Sequence, residues 1–268
     1  DVFKDKGLKR INPFTAISTF PNASSAQIST RFGFKGPSDT ISSGCVSSTV
    51  ALGYALENLR SGRLDVALVG GTEAPLSPGI FGAYCAARVM TAETENPSRA
   101  PRPFDIRRDG IVLSEGSAVL VCETVAHATR RGARIYAEVG GWSHNSDSYS
   151  MMMLNPDASQ AAAVMSAAIS DAGMCPDEID YVQAHAAGTI LDEVTQAGAL
   201  VRVFEKKISG IPVVPIKSMI GHTQGACGAI EAAAGVLSLH EQVIPRSINC
   251  EERDPRCPLQ VNREALLH

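Results

Sequence analysis

The sequence predicts an α/β protein with a mainly parallel sheet, and three observations carry that expectation. Short apolar runs of strand length alternate with runs of helix length along the whole chain. Glycine, at 23 residues, and alanine are abundant while aromatics are 5%, which suits helices packed closely on a sheet. Two segments, "ALENLRSGRLDVALVGGTEA" and "AAISDAGMCPDEIDYVQAHAAGT", share one order: helix, turn, Asp, buried strand, small-residue loop. That echo suggests two halves built on one plan.

The elements follow in order. A helix is expected near Asn22–Arg31, and "GFKGPSD" reads as a turn. Ile41 and its neighbours suggest a short strand, and Val46–Arg60 a helix that stops at Gly62. "RLDVALVGGTEA" holds a buried strand at Asp65–Val69. "SPGIFGAYCAARVM" is a loop and a short helix, and "NPSRAPRPFDIRRDG" an irregular loop dense in Pro, Arg and Asp. "SAVLVCET" and "RIYAEVGGW" read as strands on either side of the short helix "VAHATRRG". Beyond them come a helix at Ala158–Gly173, a strand in "EIDYVQAH", a helix at Asp192–Lys207, a strand in "IPVVPIKS" and the apolar helix "GACGAIEAAAGVLSLHEQ". The tail from Glu251 reads mostly as loop.

Composition bounds the function. With 268 residues, 44% of them hydrophobic, the chain can bury a large core as one domain or two fused halves. A net charge of −4 without a basic block argues against nucleic acid as partner. No apolar run approaches the length of a membrane span, and the polar opening "DVFKDKGLKR" lacks an apolar signal core. The seven cysteines are scattered and include no Cys-x-x-Cys pair, so no metal site is expected. They read as reduced thiols of a cytoplasmic enzyme, most of them small buried hydrophobes.

One thiol stands apart. Cys45 follows Gly44 where a helix is expected to begin, and unpaired helix-start N–H groups hold a thiol nearer its thiolate form. On position alone, a nucleophile and an ordinary buried cysteine are equally good readings. Two histidines add weight to the first. His185 ends the strand "DYVQAH" ahead of "AAGT", and the C-terminal end of a parallel strand is where α/β enzymes place reactive groups. His222 sits in the loop between the strand ending at Lys217 and a Gly/Ala-rich helix. His127, His144, His240 and His268 fall on helices, a loop or the terminus and read as structural.

With these residues in view, the sequence resembles the β-ketoacyl-[acyl carrier protein] synthases, the condensing enzymes of fatty acid and polyketide synthesis. "GPSDTISSGCVSS" resembles the segment around their nucleophile and "DVALVGGTEA" the strand after it. "RPFDIRRDGIVLSEGSAVLVCE", "AHAAGT" and "IKSMIGHTQGACG" resemble three further motifs, in register along nearly the whole chain. The resemblance implies a thiolase-like fold: two pseudo-repeated halves, residues 1–134 and 135–268, in an α-β-α-β-α layering. It implies that Cys45 accepts an acyl group as a thioester, and that His185 and His222 act on malonyl-carrier protein. Lys217 matches a lysine near the second histidine, where an ion pair with Glu231 is the alternative reading. Thr189 matches a threonine that contacts pantetheine. Tyr84 falls where an acyl-pocket side chain lies, or is ordinary core.

It further implies no tightly bound cofactor, the phosphopantetheine being carried by the partner acyl carrier protein, and a homodimer or ketosynthase heterodimer with the strand before Cys45 near the two-fold axis. Arg99, Arg102, Arg107 and Arg108 are candidates for the docking surface of an acidic carrier protein, with buried structural pairs as the alternative reading of Arg107 and Arg108. Three departures stand out. Ala186 and Ala187 replace Gly and Thr, so Ala187 cannot donate a hydrogen bond to pantetheine. Gln196 stands where many relatives have an acidic residue, with Asp192 or Glu193 as compensators. The chain is expected to lack the family's opening strands and its final Gly-Phe-Gly-Gly-type strand. The competing readings are a non-catalytic partner subunit that sets chain length, and a thiolase- or hydrolase-type cysteine enzyme acting on acyl-CoA.

Overall fold

Helices and strands form largely where the sequence expects them, in a computed structural model that describes residue 7, residues 10–151 and residues 153–267. His268 lies outside the described residues. Two units separate, residues 1–43 and residues 44–268. In the first, helix α1 (Ala23–Phe32) ends at Gly33 in the left-handed conformation (φ +70°), a glycine stop of the usual kind. Ile41 belongs to no strand ladder among the described residues, contrary to expectation: a strand is defined by a paired neighbour, and Ile41 has none.

The second unit runs α2 (Ser47–Arg60), β1 (Val66–Glu73), α3 (Pro78–Ala86), β2 (Gly116–Glu123), α4 (Val125–Arg130), α5 (Ser159–Asp171), β3 (Val182–Gln183), α6 (Ile190–Phe204), β4 (Pro212–Val214), α7 (Cys227–Glu241), β5 (Val243–Ile244), β6 (Gln260–Val261) and β7 (Leu266–Leu267). Helix α2 starts at Ser47, so Cys45 lies two residues ahead of it rather than at its start. The sheets are mixed rather than mainly parallel. β3, β4 and β6 pair in parallel, but the longest ladder joins β1 to β2 antiparallel over eight residues, Val66 opposite Glu123. The long excursion between those strands returns the chain antiparallel, which no local pattern specifies.

Four layers stack in this unit. Sheet β1–β2 packs on helices α2 and α7. On its other side α7 meets a cluster of Val214, Ile216 and Ile244 through Ile230 and Ala234. Sheet β3–β4–β6 then packs on α6 and α5, burying Leu200, Val203, Phe204, Val213 and Leu259 with Met165 and Ile169 against them. Each such fully buried side chain contributes about 1.5–3 kcal/mol. The α2–α7 contact is close: a Cβ on Gly228 would lie 2.1 Å from Thr49 Oγ1, so only glycine fits that face of α7.

"RIYAEVGGW" joins no ladder among the described residues. Side chains hold it instead: Arg134 lies over the Tyr136 ring, Arg60 donates to the Gly140 carbonyl, and the Trp142 N–H donates to Asp171. The cysteines are all free, and only Cys227, Cys250 and Cys257 are buried, fewer than expected. No described helix is long and apolar enough to cross a membrane.

Candidate active site

One segment positions both histidines. The Val112 carbonyl accepts the His222 N–H at 2.7 Å, and the Ser114 N–H donates to the His222 carbonyl at 3.1 Å. Two residues upstream, the Gly110 N–H donates to the Gly188 carbonyl at 3.1 Å, in the loop that follows His185. "RRDGIVLSEG" therefore clips the "HAAGT" and "GHTQ" loops side by side. Cys45 reaches the same place from just ahead of helix α2. Gly44 turns the backbone with φ +63°, and the buried Cys227 thiol donates to the Cys45 carbonyl at 3.1 Å.

The three predicted side chains converge. Cys45 Sγ lies 3.1 Å from His222 Nε2, and the rings of His185 and His222 meet edge to face at 5.2 Å. One ligand atom from each of Cys45, His185 and His222 falls within 4.8 Å of the others. The hydrogen positions follow from the neighbours. His222 Nδ1 accepts the Gln224 backbone N–H at 3.3 Å, and His185 Nδ1 faces the Lys217 ammonium at 3.3 Å. Both Nδ1 atoms are thus acceptors, and each neutral ring carries its hydrogen on Nε2. Burial, seconded by the Lys217 charge, lowers His222 to about 3. The same two causes, with His222 beside it, hold His185 well below the usual histidine range. Both imidazoles are neutral hydrogen-bond donors at neutral pH.

Lys217 is buried, and the ion pair with Glu231 is present. It also donates to the His185 carbonyl at 2.8 Å. A second set of metal-type ligands, His185, Cys227 and Glu231, also lies within 4.8 Å, but the Lys217 ammonium already bonds two of its members. The expected ionisation of Cys45 by a helix start is overturned. Burial pushes its thiol up, and the opposing pull of Lys217 is smaller. The physical reason is position: half-buried ahead of the helix, the sulfur loses water and gains little from the helix amides.

Tyr84 reaches the site through Gln224, donating to its Oε1 at 3.2 Å, while that oxygen also lies 3.6 Å from Cys45 Sγ. Thr189 ends the His185 loop, and its hydroxyl donates to Asp192 at 3.1 Å. Gln196 supports the loop as well, its Oε1 accepting the Ala186 N–H at 3.0 Å. Glu193 is buried among donors: the Phe104 and Gly188 N–H groups at 2.6 and 2.7 Å, and Arg108 at 3.0 Å. The residue that sequence reasoning passed over is Gln224. Its one signal was an amide side chain amid the small residues after His222.

The four arginines do not form a bare basic surface. Arg108 is buried between Glu193 and Asp254, and Arg102 is mostly covered beside Glu93. Arg107 pairs with Asp105 and Glu251, and Arg99 pairs with Glu251. Buried carboxylates from two segments claim Arg108, so it belongs to the framework.

Comparison with known proteins gives family matches along most of the chain. The family model for the N-terminal domain of β-ketoacyl synthases matches residues 2–128, and that for the C-terminal domain matches residues 136–251. The ketoacyl synthase alpha subunit of tetracenomycin polyketide synthase from Streptomyces glaucescens is 40% identical over 89% of this chain and 56% of its own length. The 3-oxoacyl-[acyl-carrier-protein] synthase 2 of a Synechocystis species is 34% identical over 96% of this chain and 62% of its own. The solved complex of a type II acyl-carrier protein with its hexaketide-bound ketosynthase matches with a TM-score of 0.94 at 32% identity, covering 97% of this chain and 64% of that one. The ishigamide ketosynthase/chain length factor matches with a TM-score of 0.89, again at 32% identity, over 97% and 62%. The chain spans less than two thirds of each of these relatives.

Proposed function

This chain belongs to the β-ketoacyl synthase family, and on that premise we propose that it carries the reacting groups of a β-ketoacyl-[acyl carrier protein] synthase. One observation carries the reading: two neutral imidazoles gather at a single half-buried sulfur, His222 through Nε2 at 3.1 Å and His185 with a ring nitrogen within 4.8 Å. Residues 1–134 and 135–268 are the two halves, the first supplying the nucleophile and the second both histidines. The gap between the two family matches, at residues 129–135, supports that boundary.

In the first half-reaction Cys45 sulfur attacks the thioester of an acyl group on carrier-protein phosphopantetheine. A new carbon–sulfur bond forms, the old one breaks, and the carrier thiol leaves. In the second, malonyl-carrier protein loses CO₂, and the electron pair left behind forms an enolate. The Nε2–H groups of His185 and His222 stabilise the enolate oxygen as its charge develops. The enolate carbon attacks the Cys45 thioester and frees the sulfur, leaving a chain two carbons longer. Lys217 is a positioning residue: its ammonium keeps the proton off His185 Nδ1 and so on Nε2. Thr189 lies toward the pantetheine arm and Tyr84 beside the acyl group. The partners are an acyl carrier protein and a second ketosynthase chain, acting in the cytoplasm.

The test supplies the full-length protein with acyl- and malonyl-carrier protein and follows acyl label on Cys45, CO₂ release and chain extension. Cys45→Ala abolishes labelling. His222→Ala accepts label but loses about 10²–10³-fold in extension, as removal of one such donor does elsewhere. Wild-type protein that takes no label overturns the reading in favour of the non-catalytic partner subunit.

A further inference from the structure

Around the sulfur, each hydrogen has a forced position. The Gln224 backbone donates to His222 Nδ1, so His222 Nε2–H points at Cys45 Sγ. The thiol's own hydrogen therefore goes the other way, to Gln224 Oε1 at 3.6 Å, which Tyr84 also bonds at 3.2 Å. That leaves Gln224 Nε2 buried with no partner among the described residues. An unmade bond at a buried amide is costly and calls for a reason. The backbone of Gln224 holds a left-handed φ of +48°, which fixes the side chain beside the sulfur at some expense in strain.

A primary amide presents oxygen and nitrogen in nearly the same shape, and a half-turn about its last torsion exchanges them. With the sulfur protonated, oxygen toward Cys45 is the better orientation. Once the sulfur loses its proton, that oxygen faces lone pairs with no hydrogen between. The exchanged orientation then places one Nε2–H on the sulfur and the other on the Tyr84 oxygen. Either orientation leaves one amide atom unpartnered, so the proton on the sulfur decides between them. We propose that Gln224 is a reversible hydrogen-bond partner of the nucleophile, accepting from the thiol and donating to the thiolate, with Tyr84 as its anchor. The inference extends the ketosynthase reading by adding a second donor to the sulfur, opposite His222.

The other groups that set the charge on this sulfur are Lys217, Glu231 and Glu73, with His185 and Cys227 nearby. None of them is altered in the test. Alkylation of Cys45 by iodoacetamide is followed by peptide mass spectrometry from about pH 6 to pH 10, so that the exposed Cys85 and Cys175 do not enter the reading. The sulfur gives its proton to buffer, forms a bond to carbon and expels iodide. Gln224→Leu fills the space without donating, and lowers the rate near pH 7 about 10-fold while moving the midpoint up by about one pH unit. Gln224→Glu, which keeps the shape but brings a carboxylate, moves it up further. Tyr84→Phe, which loosens the anchor alone, moves it up less. Circular dichroism confirms that each variant is folded. A Gln224→Leu profile that overlies wild type overturns the inference, as does a Gln224→Glu profile no higher than that of Gln224→Leu. No acyl carrier protein enters this assay, so its failure leaves the ketosynthase reading intact. Absence of acyl transfer with a shifted profile would do the reverse.

Discussion

Two clusters of polar side chains sit side by side in this fold and handle charge in opposite ways. Around Arg108 a guanidinium is clamped between two buried carboxylates, Asp254 held well below the usual carboxylate range and Glu193 pushed up by burial to about 7. That guanidinium bonds Glu193 and Asp254, and also the Asp105, Thr189 and Ile190 carbonyls at 2.7–3.0 Å. Around Cys45 burial suppresses charge: the thiol is pushed up and both histidines are pushed down. The first cluster is a clamp, and its ions have nowhere to go. The second is a set of neutral dipoles whose hydrogens can shift when charge develops on sulfur or enolate oxygen. Rigid paired ions frame the site, and uncharged donors work inside it.

The comparison breaks most directly at Arg108. Arg108→Ala leaves Glu193 buried without its cation, while Asp254 keeps Arg256, and is expected to lower unfolding free energy by about 3 kcal/mol. Arg107→Ala is the control one residue away. Its side chain is 47% exposed, and its buried partner Asp105 keeps the Glu251 and Glu252 backbone N–H groups, so its loss costs less than that of Arg108. Urea titration of both variants tests the contrast. Equal losses would mean that Arg108 is not the keystone of the clamp.

A second test sharpens the neutral side. His222 has its folded pKa lowered from 6.5 to about 3, so the unfolded chain binds the extra proton. Its contribution is present above pH 6.5 and is lost as the pH falls below it. The stability gap between wild type and His222→Gln should therefore narrow by about 2 kcal/mol from pH 6.5 to about pH 4.5. Subtracting the variant cancels the opposite trend of Glu193, which burial pushes up to about 7. A gap that stays constant with pH would show that His222 titrates normally.

Much of this was legible in the residues. Elements with a strong period, such as α2, α6, α7 and β2, lie within a few positions of expectation. Cys45, His185 and His222 were recoverable because each sits at a strand end or beside a glycine turn, where local pattern and chemistry coincide. What pattern could not reveal is which partner a residue meets across the fold. Arg107 and Arg108 are adjacent and identical in type, yet one is exposed and the other lies in the clamp. Ile41 and "RIYAEVGGW" have strand composition, but a strand also needs a neighbour. The direction in which the Cys45 thiol shifts is hidden for the same reason: the sequence places it near a helix start but carries no measure of how much water the fold removes.

The smallest effect lies in the loop that joins the two clusters. Ala184 and Ala186 flank His185, and each is 1% exposed. The Ala184 N–H donates to Val214 at 3.1 Å, extending the ladder, and its backbone has no positive φ. Ala186 carries φ +29°, toward the region that an L side chain enters at a cost of about 1–2 kcal/mol. Replacing either by glycine removes one buried methyl, worth about 0.8 kcal/mol, and adds about 0.5–1 kcal/mol of chain entropy to be lost on folding. At Ala184 nothing offsets those losses, so Ala184→Gly should cost about 1.5 kcal/mol. At Ala186 the relief of strain roughly cancels them, so Ala186→Gly should fall within about 0.5 kcal/mol of wild type by thermal or urea unfolding. Equal costs at the two positions would mean that the turn after His185 stores no strain. The clamp would then set the histidine's position without bending the backbone beside it.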